Sequence, residues 1–331
     1  MKKYTVAVVG ATGLVGRKMS QVLEEHSFPV GEFLPLASAR SAGKTVTFAG
    51  KEVPVRELTP GSFAGVDIAL FSAGAGVSRE FSPHAVRAGT LVVDNSSAFR
   101  LDAGIPLVVP EVNRADIFKH RGIIANPNCS TIQMVVALKP LHDLWKIRRI
   151  VVSTYQSVTG AGKKGLTQLE DEIAQRTAGE KKFPHAIAFN VLPHVDVFLD
   201  DGSTKEEYKM VEETKKIMGD ETIRVSATCV RVPVWGGHSE SVNVEFERPC
   251  DVAQARAALE AFPGVVVRDD PVHAEYPMPV DAWDTDPVYV GRIRRDPSVA
   301  SGLNLWVVSD NLRKGAATNA VQIAEEWIKG Q

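Results

Sequence analysis

The sequence has few cysteines, no long apolar run and almost no net charge. Its 331 residues include three cysteines, Cys129, Cys229 and Cys250, an odd number that fits neither a disulfide framework nor a common zinc-binding spacing. No stretch approaches the roughly 18 apolar residues of a transmembrane helix, and the apolar run near the start is too short for a secretory signal. We therefore expect a soluble, cytoplasmic protein with reduced thiols and no metal.

Charge and composition exclude further classes of protein. Lys plus Arg total 38 and Asp plus Glu total 40, which gives a formal net charge of −2. A chain so close to neutral gives no electrostatic reason to expect nucleic acid or an anionic membrane as a partner. Apolar residues at 44% and charged residues at 24% are typical of a globular chain. The length allows about two domains.

The first third of the chain alternates short apolar runs with helical patterns. Tyr4–Val9, Val66–Ser72 and Leu91–Asp94 are predicted strands, and Leu14–Leu23 is a predicted amphipathic helix. Such alternation is typical of βαβ units and predicts a Rossmann-type α/β domain with a mainly parallel sheet.

The middle of the chain has β-rich runs separated by helices and long loops, which predicts an α+β second domain. A last amphipathic helix, Lys314–Ile328, is expected to return to the first domain. We therefore place a first, Rossmann-type domain at residues 1–128 plus 311–331, and a second domain at residues 129–310.

A glycine-rich turn, GATGLVG at positions 10–16, follows the first predicted strand and opens the first predicted helix. Glycines allow a tight turn and close approach of the backbone to a pyrophosphate, and the helix N-terminus offers amides to it. This context favours a dinucleotide site over an ordinary strand–helix turn. The cofactor-binding residues predicted in this turn are Gly10, Thr12, Gly13, Leu14 and Val15.

The residues after the second predicted strand, Glu32–Ala37, favour NADP over NAD. An NAD site usually has an acid at this strand end, and none is present. Ser38, Arg40 and Ser41 instead supply two hydroxyls and a guanidinium, which suit a 2′-phosphate. The alternative is an arginine on a solvated loop.

Two more turns rich in small residues follow predicted strands, SAGAG at 72–76 and NSS at 95–97. The carboxyl ends of parallel strands line a ligand crevice in such sheets. Ser72, Gly74 and Asn95 are therefore also predicted to contact the cofactor.

Cys129 lies at or just before the start of a predicted helix, in the run NPNCSTIQ. A helix N-terminus favours the nucleophilic thiolate, and its amides can hold an oxyanion. The alternative for any cysteine is a small buried apolar side chain, which explains Cys229 and Cys250 adequately. A thiol nucleophile needs a base, and His238, predicted on a loop after a strand and a Gly-Gly turn, is the candidate.

Taken in order, these motifs resemble the aspartate-semialdehyde dehydrogenase family over essentially the whole chain. The matching segments are GATGLVG, SARSAGK, DNSSAFR, NPNCSTIQ, TYQSVTGAG, EEYKMVEETKKI, CVRVPVWGGHSE and DNLRKGAATNAVQ. Two related families differ at the cysteine: N-acetyl-glutamyl-phosphate reductases typically have glycine before it, and glyceraldehyde-3-phosphate dehydrogenases have Ser-Cys-Thr-Thr-Asn.

The resemblance implies NADPH-dependent reduction of L-4-aspartyl phosphate to L-aspartate 4-semialdehyde by way of a cysteine thioester. This step feeds lysine (diaminopimelate), methionine and threonine biosynthesis. It also implies roles for individual residues: Cys129 as nucleophile, His238 as acid/base, Gln156 positioning the acyl group, Arg231 clamping the α-carboxylate, Glu206 holding the α-ammonium, Arg100 and Lys209 binding phosphate, Asn128 shaping the site, and Gly160 and Asn311 contacting NADP(H).

Other interpretations stay open at this point. Glu206 and Lys209 could simply pair at i, i+3, and Ser203 with Glu206 has the spacing of a capping box. N-acetyl-glutamyl-phosphate reductase is the alternative activity, and a nucleotide-sensing homologue without catalysis is a remoter one. The resemblance further implies that residues 1–128 plus 311–331 form the NADP-binding domain. It also implies that residues 129–310 form a catalytic and dimerisation domain, through which a homodimer assembles.

Overall fold

The computed structural model describes residues 2–176, 179 and 181–331. The chain forms two compact units, Met1–Asn128 with Ala316–Gln331, and Cys129–Gly315, which we call unit 1 and unit 2. The second boundary follows residue 315 rather than residue 310, because Asn311 Oδ1 accepts hydrogen bonds from Ser157 and Gly237 of unit 2. Across the described residues, no helix is long and apolar enough to cross a membrane.

Unit 1 has a six-stranded parallel sheet in the order β5-β2-β1-β6-β7-β8, with a separate β3-β4 hairpin. Its strands are β1 Tyr4–Val9, β2 Val30–Ala37, β3 Thr45–Phe48, β4 Lys51–Pro54, β5 Arg56–Glu57, β6 Ile68–Phe71, β7 Leu91–Asp94 and β8 Ile123–Ala125. Its first helices are α1 Leu14–Glu25, α2 Ala75–Arg87 and α3 Pro110–Asn113.

The central strands of unit 1 are apolar because they are covered on both faces. Val6 and Val8 of β1 and Ala69 of β6 have no exposed surface. The chain runs from β1 outward to β2 on one side and returns to β6 on the other, which makes β1/β6 the topological switch point. Ligands of open α/β sheets bind outside the carboxyl ends of the strands at such a point.

Unit 2 has a mixed sheet in the order β10-β9-β11-β14-β13-β12, confirming the predicted second domain with both helices and strands. Helices α4, α6 and α7 pack against it. Its strands are β9 Ile147–Gln156, β10 Arg224–Arg231, β11 His238–Phe246, β12 Val265–Val267, β13 Val288–Arg295 and β14 Gly302–Ser309. Its helices are α4 Cys129–Trp145, α5 Lys163–Ile173, α6 Lys205–Met218, α7 Val252–Glu260 and α8 Pro279–Ala282.

The C-terminal helix, α9 Thr318–Lys329, belongs to unit 1 and follows a π-helical turn at Arg313–Ala317. Its apolar side, with Ala320 and Ile323 fully buried, joins the same core as Val6 and Val8. Asn319 Nδ2 donates to the Val108 carbonyl over 2.9 Å.

Candidate active site

The glycine-rich turn after β1 has the geometry of a phosphate-binding loop. Gly10 has a φ of +86°, and a Cβ there would lie 2.8 Å from the Ser72 carbonyl oxygen. A Cβ on Gly16 would overlap the Gly10 carbonyl, so this glycine lets α1 pack closely against the turn. Gly13 caps α1 without a side-chain hydrogen bond, which leaves the first amides of α1 to a ligand.

A cavity of about 590 Å³ in unit 1 joins the predicted cofactor residues from three loops. Arg40 is exposed in a short 3₁₀ turn, Ala39–Ser41, just beyond the end of β2. This position fits a guanidinium that faces the ribose end of a dinucleotide whose pyrophosphate rests on the turn. The predicted residues that line the cavity are Gly10, Thr12, Gly13, Ser38, Arg40, Ser41 and Ser72.

Other predicted residues of unit 1 lie at neighbouring strand ends. Gly74, with a φ of +90°, precedes α2. Asn95 follows β7, where its carbonyl accepts from Arg100 over 2.9 Å and its Oδ1 accepts from Asn126 over 2.7 Å. Arg100 is itself buried, and its bond to the Asn95 carbonyl helps to hold the loop after β7. Leu14 and Val15 form the first turn of α1.

Cys129 is the first residue of α4, is half-buried, and follows the buried Asn128 in the chain. Gly315 packs directly against it, and a Cβ at Gly315 would lie 2.8 Å from the Cys129 Cβ. Cys229 differs because it is fully buried, and burial raises the pKa of its thiol. Of these two thiols, Cys129 has the surroundings of a nucleophile.

His238 is the first residue of β11 and has no exposed surface, so its predicted place on an open loop is wrong. The Gly-Gly turn before it is pinned at Gly237, where a Cβ would lie 2.8 Å from the Pro279 carbonyl oxygen. Burial, reinforced by the positive charge of Arg231, lowers the pKa of His238 to about 3. The ring is therefore neutral at physiological pH.

Arg231 ends β10 beside Gln156 of β9 and is 5% exposed. Its NH1 donates to the Ser157 carbonyl over 2.6 Å, and its guanidinium lies over the Phe183 ring. Burial lowers the pKa of Arg231, and the nearby Glu206 carboxylate and the sulfur of Cys129 oppose this shift. Arg231 therefore places a fixed positive charge within electrostatic range of the Cys129 sulfur.

Gln156, Glu206 and Lys209 form a connected polar group. Gln156 Nε2 donates to Glu206 Oε1 over 3.1 Å, and its Oε1 accepts from Thr154 over 3.0 Å. Lys209 Nζ binds Glu206 Oε2 at 3.1 Å and Asp196 Oδ2 at 2.7 Å. The ion-pair interpretation is therefore correct, and phosphate binding by Lys209 stays a prediction.

The capping box of α6 is shifted by one residue from the predicted one. Thr204, not Ser203, accepts from the Glu207 amide, and Glu207 accepts in return from the Thr204 amide. Because Glu207 takes the capping role, the neighbouring Glu206 carboxylate faces Gln156 and Lys209 instead.

Gly160 and Asn311 lie in unit 2 close to the same group. A Cβ on Gly160 would be 2.8 Å from Arg231 NH1 and 3.3 Å from His238 Nε2. Asn311 ties the turn after β9 to the turn before β11. Sequence reasoning missed Ser157 and Gly315, whose contacts with His238 and Cys129 join residues far apart in the chain.

Two family models match the chain, the NAD binding domain of semialdehyde dehydrogenases over residues 5–120 and their dimerisation domain over residues 138–314. The aspartate-semialdehyde dehydrogenase of Aquifex aeolicus is 57% identical, covering 98% of this chain and 98% of the relative. The chain belongs to the aspartate-semialdehyde dehydrogenase family. Its Bacillus subtilis member is 52% identical, covering 98% and 97%.

Solved members of this family share the fold. Aspartate semialdehyde dehydrogenase II of Vibrio cholerae, crystallised as a complex with ASA, matches with a TM-score of 0.96 at 51% identity over 99% of both chains. The enzyme of Candida albicans, crystallised with NADP, matches with a TM-score of 0.76 at 28% identity over 98% of both. The chain is accordingly an oxidoreductase of the aspartate-semialdehyde dehydrogenase family with a nicotinamide-nucleotide-binding domain.

Proposed function

We propose that this chain reduces L-4-aspartyl phosphate to L-aspartate 4-semialdehyde, with NADPH as reductant and a thioester on Cys129 as intermediate. The observation that carries the proposal is that unit 2 brings Arg231, His238, Gln156 and Glu206 together. Gln156 bonds Glu206, Gly160 lies against both Arg231 and His238, and Arg231 is within electrostatic range of Cys129 and Glu206. The names of the relatives support the substrate, and the N-acetyl-glutamyl alternative gains no support from them.

The first half of the reaction is acyl transfer to the thiol. The Cys129 thiolate attacks the acyl carbon, a C–S bond forms, and the C–O bond to phosphate breaks with release of inorganic phosphate. The first amides of α4 and the charge of Arg231 both stabilise the anionic sulfur. A thioester is less resonance-stabilised than a carboxylate, which makes its carbonyl reducible.

The second half is reduction and release. Bound NADPH supplies the hydride for the thioester carbonyl. The neutral His238 ring can donate a hydrogen bond from Nε2 to the resulting oxyanion, rather than form an ion pair with the thiolate. Collapse of the oxyanion breaks the C–S bond, which gives the aldehyde and returns the thiolate.

The charges in unit 2 suit a zwitterionic amino acid. Arg231 offers a planar fork to the α-carboxylate, and Glu206 offers a carboxylate to the α-ammonium. Gln156, hydrogen-bonded to Glu206, positions the acyl group, and Asn128 shapes the site. Phosphate binding by Lys209 and Arg100 and cofactor contacts by Gly160 and Asn311 belong to the same proposal.

The preference for NADP is also proposed. It is supported by Arg40, Ser38 and Ser41 lining the unit 1 cavity directly after β2, where an NAD site usually has an acid. A homodimer in the cytoplasm, serving the biosynthesis of lysine, methionine and threonine, completes the proposed role. The dimer is supported by the matched dimerisation domain, and light scattering of the purified chain tests it.

A single-turnover experiment tests the thioester. L-aspartate 4-semialdehyde and NADP⁺ are mixed with enzyme in the absence of phosphate. A burst of NADPH close to one per active site and an aspartyl adduct on Cys129, found by mass spectrometry, are expected. Cys129→Ser should show neither. A burst with no adduct on Cys129 would overturn the assignment.

A further inference from the structure

Glu240 is a buried carboxyl group that the proposed reaction does not use. It lies in β11 and has no exposed surface. Neither carboxyl oxygen has a hydrogen-bond partner at normal geometry, and among the described residues no cation pairs with it. An ionised carboxylate in such a place would carry a large, uncompensated desolvation cost.

The neighbours of Glu240 are neutral. Its partners in the sheet are Thr154 on β9 and Val307 on β14, and the Gln133 amide of α4 is the polar side chain that favours its ionised form. The titratable group that interacts electrostatically with Glu240 is the Cys229 thiol, which is fully buried. Burial therefore raises the pKa of Glu240 well above its usual value, with only Gln133 opposing the shift.

Gln133 and Glu240 lie close in the chain to Cys129 and His238, the proposed reactive pair. Cys129 and Gln133 are four residues apart on one face of α4. His238 and Glu240 are two residues apart on one face of β11, against which α4 packs. Gln133 Nε2 also donates to the His238 carbonyl over 3.3 Å. The Gln133 amide thus joins the helix that carries the thiol to the strand that carries the imidazole.

We propose that Glu240 is held as a neutral carboxylic acid and that, through Gln133, it is a positioning residue for Cys129 and His238. Gln133 Oε1 has no partner in the described structure. In the proposed arrangement the protonated carboxyl of Glu240 donates to this oxygen and gives the Gln133 amide a neutral partner. The positioning role rests on the proposed function, whereas the protonation state does not.

Stability against pH tests the protonation state without any substrate. A carboxyl whose pKa is raised in the folded state stabilises the fold less as pH rises above its unfolded value near 4.5. Glu240→Gln cannot ionise, so its Tm minus that of the wild type should be small at pH 5 and should increase steadily to pH 8. Glu247→Gln, at an exposed carboxylate beyond the same strand, is the matched control and should show no such increase.

A Tm difference between Glu240→Gln and wild type that is constant, or that shrinks with rising pH, would show an ionised Glu240 and overturn the proposal.

The positioning role is tested by two quantities, the rate at which iodoacetamide alkylates Cys129 and kcat. Glu240→Leu cannot bond Gln133, and both quantities should fall roughly 10- to 100-fold with little change in KM. Glu240→Gln, which can still hydrogen-bond Gln133, should keep most of the wild-type alkylation rate and kcat.

Gln133→Leu should lose at least as much as Glu240→Leu, because it also removes the bond to the His238 carbonyl. The double variant should lose little more than Gln133→Leu alone, because the contact between the two side chains is already broken. Fully additive losses, or an unchanged alkylation rate in Glu240→Leu, would contradict the positioning role. If the proposed substrate were wrong, the alkylation and Tm results would still hold while turnover of the semialdehyde was absent in every variant.

Discussion

The main-chain N–H of Ser157 donates a hydrogen bond to Nδ1 of His238 over 3.1 Å. Because a backbone amide can only donate, Nδ1 must be the acceptor, and the neutral ring carries its proton on Nε2. Nε2 is buried and has no hydrogen-bond partner in the part of the chain that the structure describes. In the proposed reaction, this donor nitrogen is the one that bonds the oxyanion.

The imidazole of His238 should stay neutral in the folded enzyme, because burial lowers its pKa. In nitrogen NMR of labelled free enzyme, the ring should stay in the Nε2–H form from pH 8 to pH 5, since its pKa is lowered to about 3. The unfolded ring titrates near 6.5, so below that pH the buried neutral ring costs stability, and His238→Gln should lessen acid sensitivity. A titration midpoint near 6.5 in the folded enzyme would contradict this geometry.

Gly315 should tolerate no side chain. Gly315→Ala puts a Cβ 2.8 Å from the Cys129 Cβ, and a displacement of the thiol by an ångström is expected to lower kcat roughly 100-fold. Gly104→Ala, where a Cβ meets nothing within 4 Å, is the control and should keep normal turnover. Equal activity of the two variants would show that Gly315 does not fix the position of the thiol.

Arg231→Lys keeps the charge and removes the planar fork. We expect a loss of ~1.5–3 kcal/mol in kcat/KM for the amino-acid substrate, because a lysine cannot bond both the Ser157 carbonyl and a carboxylate in the same plane. NADPH affinity should not change. Arg224→Lys, exposed at the other end of β10, is the control. Unchanged steady-state constants for Arg231→Lys would exclude the carboxylate clamp.

Arg40 should distinguish the two nicotinamide nucleotides. Arg40→Ala is expected to weaken NADPH binding by ~1.5–3 kcal/mol, the usual contribution of a charge-assisted hydrogen bond, and to leave NADH nearly unaffected. Lys44→Ala is the control, because Lys44 is exposed, its backbone amide bonds the Ser41 carbonyl, and it is not among the residues that line the cavity. Titration calorimetry measures both nucleotides, and an equal loss for the two would refute the 2′-phosphate assignment.

The sequence was most informative where a local pattern sets the structure. β1 and β7 have the bounds that their apolar runs predict, and the glycine turn lies between β1 and α1 as expected. The start of α4 at Cys129 could likewise be predicted from the polar run before an apolar helix. These features depend on neighbours in the chain.

Long-range packing accounts for what the sequence did not predict. His238 is buried at the start of a strand because β9 and β14 pair on either side of β11, and no local pattern near His238 records those partners. The contacts of Ser157, Gly315 and Glu240 likewise join separate elements. The shift of the capping box from Ser203 to Thr204 shows the limit for neighbouring residues with similar side chains.

The reverse reaction with two aldehydes tests both the proposed substrate and the role of Cys129. The enzyme is supplied with inorganic phosphate and NADP⁺, and NADPH formation is followed with L-aspartate 4-semialdehyde or with N-acetyl-L-glutamate 5-semialdehyde. We expect phosphate-dependent turnover of the aspartate aldehyde, little turnover of the other aldehyde, and none in Cys129→Ser. Faster turnover of the N-acetylated aldehyde, or turnover that persists in Cys129→Ser, would contradict the proposal.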